Sequence, residues 1–170
     1  MQGTAATLNA GTLRAKGLYP DTLEHAFQEE RPSPRTLGEA CRRALGDRAI
    51  RETLARVQAT GAEVLYRSVD VRDREALAAV LEEARSAHGP VRGLVHGAGV
   101  LRDRRIEDKT GEQFDAVFDT KVLGLLHLLE FLDGDDLRFR AFFTSVSGRF
   151  GRRGQVDYAM ANEVLAKVAA

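Results

Sequence analysis

A serine, a tyrosine and an asparagine share one short stretch, FTSVSGRFGRRGQVDYAMAN, as Ser145, Tyr158 and Asn162. Ser145 follows an expected strand, Tyr158 opens an expected helix, and a glycine-rich connection joins them. Asn162 lies four positions after Tyr158, so on a helix their side chains share a face. A free phenol, with a pKa of about 10, is a poor acid–base catalyst at neutral pH unless a nearby cation favours its phenolate. Lys121 is the candidate cation: it sits among Val117, Phe118, Val122 and Leu125, in core-facing company where a lysine needs a reason.

The elements that must position these residues follow from periodicity. Residues 1–35 carry scattered glycines, no sustained period and the Pro32-Ser33-Pro34 punctuation of a loop or linker, with a short helix expected around Asp21 to Gln28. From Thr36 a helical pattern runs through Leu37, Ala40, Cys41, Ala44 and Leu45, continues at Ile50, Leu54 and Val57, and stops at Gly61. An alternation follows. Strands are expected at 62–69 (AEVLYRSV), 91–96 (VRGLVH) and 140–144 (RAFFT), and helices at 73–88, 112–132 and 158–168. Gly89-Pro90 breaks the chain, and Thr110 with Gln113 has capping-box spacing. Strands separated by helices predict an α/β fold, a Rossmann-like doubly wound parallel sheet. Ligands in such sheets bind beyond the carboxyl ends of the strands. That singles out Asp70, Gly97 to Gly99, and Thr144 to Ser147, all small or polar.

Taken together, FTSVSGRFGRRGQVDYAMAN, VHGAGVLRD and FDTKVLG resemble the ketoreductase domain of modular polyketide synthases and polyunsaturated fatty acid synthases, within the short-chain dehydrogenase/reductase superfamily. The likeness runs from about Ile50 to the C-terminus. The usual superfamily pattern has lysine four residues after the tyrosine. Here that place is Asn162 and the lysine is Lys121, the mark of the synthase-embedded ketoreductases. The resemblance implies NADPH-dependent reduction of a 3-ketoacyl thioester on an acyl carrier protein, within a multidomain synthase. It implies that Tyr158 protonates the keto oxygen, that Ser145 hydrogen-bonds it, that Lys121 lowers the tyrosine pKa and touches the nicotinamide ribose, and that Asn162 positions Lys121 and an ordered water. Asp70 and Val71 match the adenine-binding place, and Gly97, Ala98 and Gly99 match the small turn against which the cofactor lies, for which positive φ is expected at the glycines. Leu101-Arg102-Asp103 stands where many members have Leu-Asp-Asp, a fingerprint for the D alcohol, of whose two aspartates only the last is kept. His96 and His127 read as satisfied core residues, and Arg149, Arg152 and Arg153 as an exposed loop.

The family's glycine-rich phosphate turn after a first strand has no counterpart here, since Gly11 and Gly17 follow no credible strand. Nor is there a place for an arginine that would hold the NADP 2′-phosphate. In the family's strand order, 3-2-1-4-5-6-7, the first βαβ unit and the C-terminal strands are not evident. Residues 36–170 are therefore expected to be a partial ketoreductase domain, from a longer product or a truncated one. The alternatives are a non-catalytic structural piece of a synthase, disfavoured by the Ser/Tyr/Asn set, and a free-standing dehydrogenase, disfavoured by Asn162 and Lys121.

Composition bounds the rest. With 170 residues, 25 basic and 25 acidic side chains and no net charge, the chain lacks the electrostatic case for nucleic acid or an anionic membrane. It is long enough for one domain with a core. One cysteine, Cys41, excludes an internal disulfide, no Cys/His cluster suggests a metal, and no long apolar run or signal-like leader appears. A cytoplasmic setting is expected.

Overall fold

The structure, a computed structural model, describes residues 34–170; the expected helix around Asp21 to Gln28 lies outside them. The chain divides between Val64 and Leu65 into two compact units. In the first, α1 spans Pro34–Gln58 as one continuous helix. It begins two residues before the expected Thr36, because a proline is tolerated in the first helical turn, where its missing N–H has no intrahelical acceptor to meet. Gly61, at φ 84°, sits in the turn just past its end.

The second unit holds α2 (Arg74–His88), β1 (Gly93–His96), a 3-10 turn (Ile106–Asp108), α3 (Gly111–Phe131), β2 (Phe139–Phe142), α4 (Val146–Phe150) and α5 (Val156–Ala169). Asp73 caps α2 by accepting from the Ala76 N–H, and Gly89 ends it at φ 80°. Thr110 and Gln113 close the expected capping box on α3. The two strands pair in parallel, Gly93 opposite Phe139 and His96 opposite Phe142, with α3 as the crossover between them. This is the α/β, parallel-sheet architecture that the alternation predicts, with two strands in the sheet among the described residues.

Residues 62–69 correct one expectation. They form no strand; the apolar alternation is present, but a strand exists only where a neighbour takes its N–H and C=O groups, and none among the described residues does. Leu65 and Tyr66 are left exposed, and Val69 alone of this stretch packs against the core cluster. A second difference is α4, a short helix inside what reads as a glycine-rich connection.

The core is built around α3. Val122, Leu125, Leu128 and Leu132 meet Leu77 of α2, Leu94 of β1, and Ala161 and Leu165 of α5. The far end is tied by Arg85, which donates to the Phe131 carbonyl and to Asp135, while Asp135 also accepts the Val91 N–H at 3.1 Å. That fixes where β1 begins. Replacing Leu125, 1% exposed, by alanine is expected to cost about 2–5 kcal/mol in urea unfolding. The neighbouring Leu126→Ala, at a half-exposed position, should cost no more than about 0.5 kcal/mol.

Candidate functional site

The carboxyl ends of β1 and β2 and the first turn of α5 converge on Lys121. Its side chain leaves the middle of α3 and is buried, 4% exposed, where desolvation pushes its pKa below the ordinary lysine value. Its Nζ donates to the Phe143 carbonyl at 3.0 Å and lies 5.5 Å from the centroid of the Tyr158 ring, within reach of the ring's quadrupole. Phe143 in turn donates its N–H to the His96 carbonyl at 2.9 Å, and His96 donates from Nε2 to the Lys121 carbonyl at 2.9 Å. A closed ring of hydrogen bonds thus joins the ends of both strands to α3.

Gly99 flanks the ammonium. A Cβ there would stand 3.2 Å from Lys121 Cε, so the residue must be small for the lysine to lie where it does. Neither Gly97 nor Gly99 has positive φ, which corrects the expectation for this turn: at Gly99 the lack of a side chain, and not left-handed backbone, is what makes room for the lysine.

Ser145 caps α4. Its Oγ accepts the Ser147 N–H at 3.2 Å, which leaves its own hydroxyl hydrogen free to donate outward. Tyr158, the third residue of α5, is half-buried, and its hydroxyl has no hydrogen-bond partner among the described residues. Asn162, 1% exposed, donates from Nδ2 to the Tyr158 carbonyl at 2.6 Å, while its Oδ1 is buried without a partner. A Cβ on Gly148 would meet Asn162 and Glu163 backbone at 3.0–3.2 Å, so α4 seats directly on the α5 turn that carries Asn162.

The two acidic-end candidates separate. Val71 packs on α3 at Gly124, where an added Cβ would come within 2.6 Å of its Cγ2, and its carbonyl accepts from His127 Nδ1 at 3.3 Å. Asp70 is exposed and bound locally to Arg72 by several hydrogen bonds, which hold its carboxyl below the usual range. Both histidines thus serve backbone carbonyls, as core residues would. Arg152 and Arg153 are exposed and, with Arg104 and Arg105, line an open groove beside the start of α5.

The chain is similar to known proteins in sequence and in fold. The family model described as the KR domain matches residues 33–170. The chain belongs to the ketoreductase domain family. The match begins ahead of the Ile50 at which the motif likeness starts. One component of the polyunsaturated fatty acid synthase from a Thraustochytrium species is 42% identical over 150 residues, covering 86% of this chain and 5% of that protein. A solved ketoreductase from the first module of phoslactomycin biosynthesis in a Streptomyces species is 39% identical with a TM-score of 0.65, covering 69% of this chain and 27% of that one. A ketoreductase domain from the bacillaene assembly line is 34% identical with a TM-score of 0.62, covering 88% and 36%. The chain therefore spans a small part of the synthase it matches.

The side chains that sequence motifs do not single out are Lys109, Gln155 and Asp157. Gln155, buried between Asp103 and Ser147, donates to Asp103 Oδ2 at 2.9 Å. Their partners lie about 50 residues away in sequence, so no local spacing announces them. Among the described residues no cluster of His, Cys, Asp and Glu is placed to hold a metal ion, and no helix is long and apolar enough to cross a membrane.

Burial pushes the His96 pKa below its ordinary value. In the unfolded chain His96 takes up a proton near pH 6.5, while in the folded ketoreductase domain it stays neutral to lower pH, so this residue makes stability fall as pH drops below 6.5. His96→Asn is expected to flatten that part of the stability–pH curve, which urea titrations between pH 7.5 and 5 would measure.

Proposed function

We propose that this ketoreductase domain carries the proton-transfer side of an NADPH-dependent reduction, converting a 3-ketoacyl thioester borne by an acyl carrier protein to the 3-hydroxyacyl thioester. The observation that carries the reading is the buried Lys121 ammonium held beside the Tyr158 ring, with the tyrosine hydroxyl and the Ser145 hydroxyl hydrogen both uncommitted. The family places the chain among reductases of polyketide and fatty acid synthases, which supports a nicotinamide cofactor and partner domains.

The residues fit one end of such a cofactor. Lys121, Gly99 and the unpartnered Asn162 Oδ1 offer a buried donor, a close backbone approach and a buried acceptor, as the nicotinamide ribose and an ordered water would need. Asp70 and Val71 would take the adenine, with Asp70 leaving Arg72 to do so. Among the described residues no glycine-rich turn offers itself to the pyrophosphate. When bound, the cofactor supplies a hydride to the carbonyl carbon. Tyr158 then gives its proton to the oxygen, Ser145 donates a hydrogen bond to the same oxygen, and the ammonium of Lys121 favours the phenolate left behind. Asn162 holds the first turns of α5 in register through the Tyr158 carbonyl.

With trans-1-decalone as surrogate ketone, NADPH consumption by the chain should fall by about 10²–10⁴-fold in Tyr158→Phe. Ser145→Ala should lower it less, and Lys121→Met should lower it at neutral pH. Folded protein with neither turnover nor NADPH binding would overturn the reading.

A further inference from the structure

Lys109 lies between the 3-10 turn and Thr110, in a stretch that is otherwise exposed, yet its side chain is almost wholly buried. Lys109 and Asp157 form an ion pair at 2.6 Å with side chains 3% and 2% exposed. The same ammonium donates to the Arg102 carbonyl at 2.7 Å. Asp157 uses its other oxygen, Oδ1, to accept the Tyr158 backbone N–H at 2.9 Å. That N–H belongs to the first turn of α5, where no helical carbonyl is available to it. A continuous chain of polar contacts therefore runs from Arg102 through Lys109 and Asp157 to Tyr158.

Two neighbouring bonds stitch the same segments. The Arg104 N–H donates to the Gly154 carbonyl at 2.9 Å, and Gln155 bonds Asp103. Residues 101–103 follow the Gly97–Gly99 turn in the chain, and their Arg102 carbonyl and Asp103 carboxylate are the groups that Lys109 and Gln155 tie to the start of α5. A buried ion pair is a poor way to gain stability, since desolvation of both charges offsets most of their attraction. What it does impose is geometry, because each charge has one satisfactory position.

We propose that Lys109 and Asp157 are positioning residues of the ketoreductase site, coupling the 101–103 segment to the tyrosine so that a ketone held against one meets the phenol of the other. The proposal rests on the reductase reading above, and its test separates the two. In the full chain, Lys109→Met should be clearly destabilised, because it strands the Asp157 carboxylate in the interior. Lys109→Met/Asp157→Asn leaves neither charge of the pair, and the amide that replaces the carboxylate is no longer anchored by an ammonium. The double variant should regain most of the melting temperature.

In that double variant the Tyr158 amide should exchange hydrogen at least tenfold faster than in the wild type, with the amides of Ala161 and Leu165 unchanged. kcat for the surrogate ketone should be down at least tenfold while the KM for NADPH moves less than threefold. Lys109→Arg covers the case of a double variant that does not fold. It keeps the charge in a planar fork that cannot take the ammonium's place, and it too should speed Tyr158 exchange several-fold. Wild-type exchange and wild-type kcat in the double variant, or unchanged exchange in Lys109→Arg, overturn the proposal. A wild-type chain without turnover overturns the reductase reading alone, and the exchange rates still decide the coupling.

Discussion

A lysine ammonium taken out of water costs several kcal/mol unless the protein gives it partners, and the placement of Lys121 is organised around that cost. Its Nζ finds the Phe143 carbonyl and the face of Tyr158; Phe143 finds His96, and His96 returns to the Lys121 backbone. Each link belongs to a different element, so β1, β2 and α3 can satisfy the ring only in one relative arrangement. Gly99 is part of the same constraint, since any side chain there would press on the lysine stem. The hydrophobic contacts of α3 with Leu77, Leu94, Ala161 and Leu165 hold the helix in place, and the hydrogen-bonded ring decides which way its one buried cation points.

The attachment of the loop after β1 to the start of α5 rests on polar contacts more than apolar ones. The loop after β1 makes little core, with Leu101 and Ile106 both exposed, and it is attached to the start of α5 through Lys109, Asp103 and the Arg104 amide. Polar attachments of this kind add less to stability than to uniqueness of position.

Much of the scaffold is legible from residue types. Asp73, Gly89, and Thr110 with Gln113 mark helix ends by supplying what the orphan amides and carbonyls there require, and they do so where expected. The helix through Lys121 reads from its apolar company, and both observed strands overlap their expected segments. The stretch 62–69 fails the same logic, because alternation shows only that a segment would suit a sheet, and pairing depends on a neighbour that its own residues do not encode. α4 is hidden for the converse reason: its glycines resemble a loop, and it is held by the Ser145 cap and by close packing of Gly148 on Asn162. Gly97 and Gly99 are legible as small residues but not as backbone conformations, since glycine permits positive φ without requiring it.

By itself, the sequence determined the family and most of the alternation of elements, and it put forward the set Ser145, Tyr158, Asn162 and Lys121, because motif residues and apolar periods are local properties of the chain. Only the tertiary structure decided that Lys121 is buried and bonded to Phe143, that Asp70 is spent on Arg72, that Asn162 keeps a buried oxygen without a partner, and that Lys109 meets Asp157. Those facts concern which groups lose their water together. Desolvation is a property of packing between distant segments, and no spacing along the chain records it.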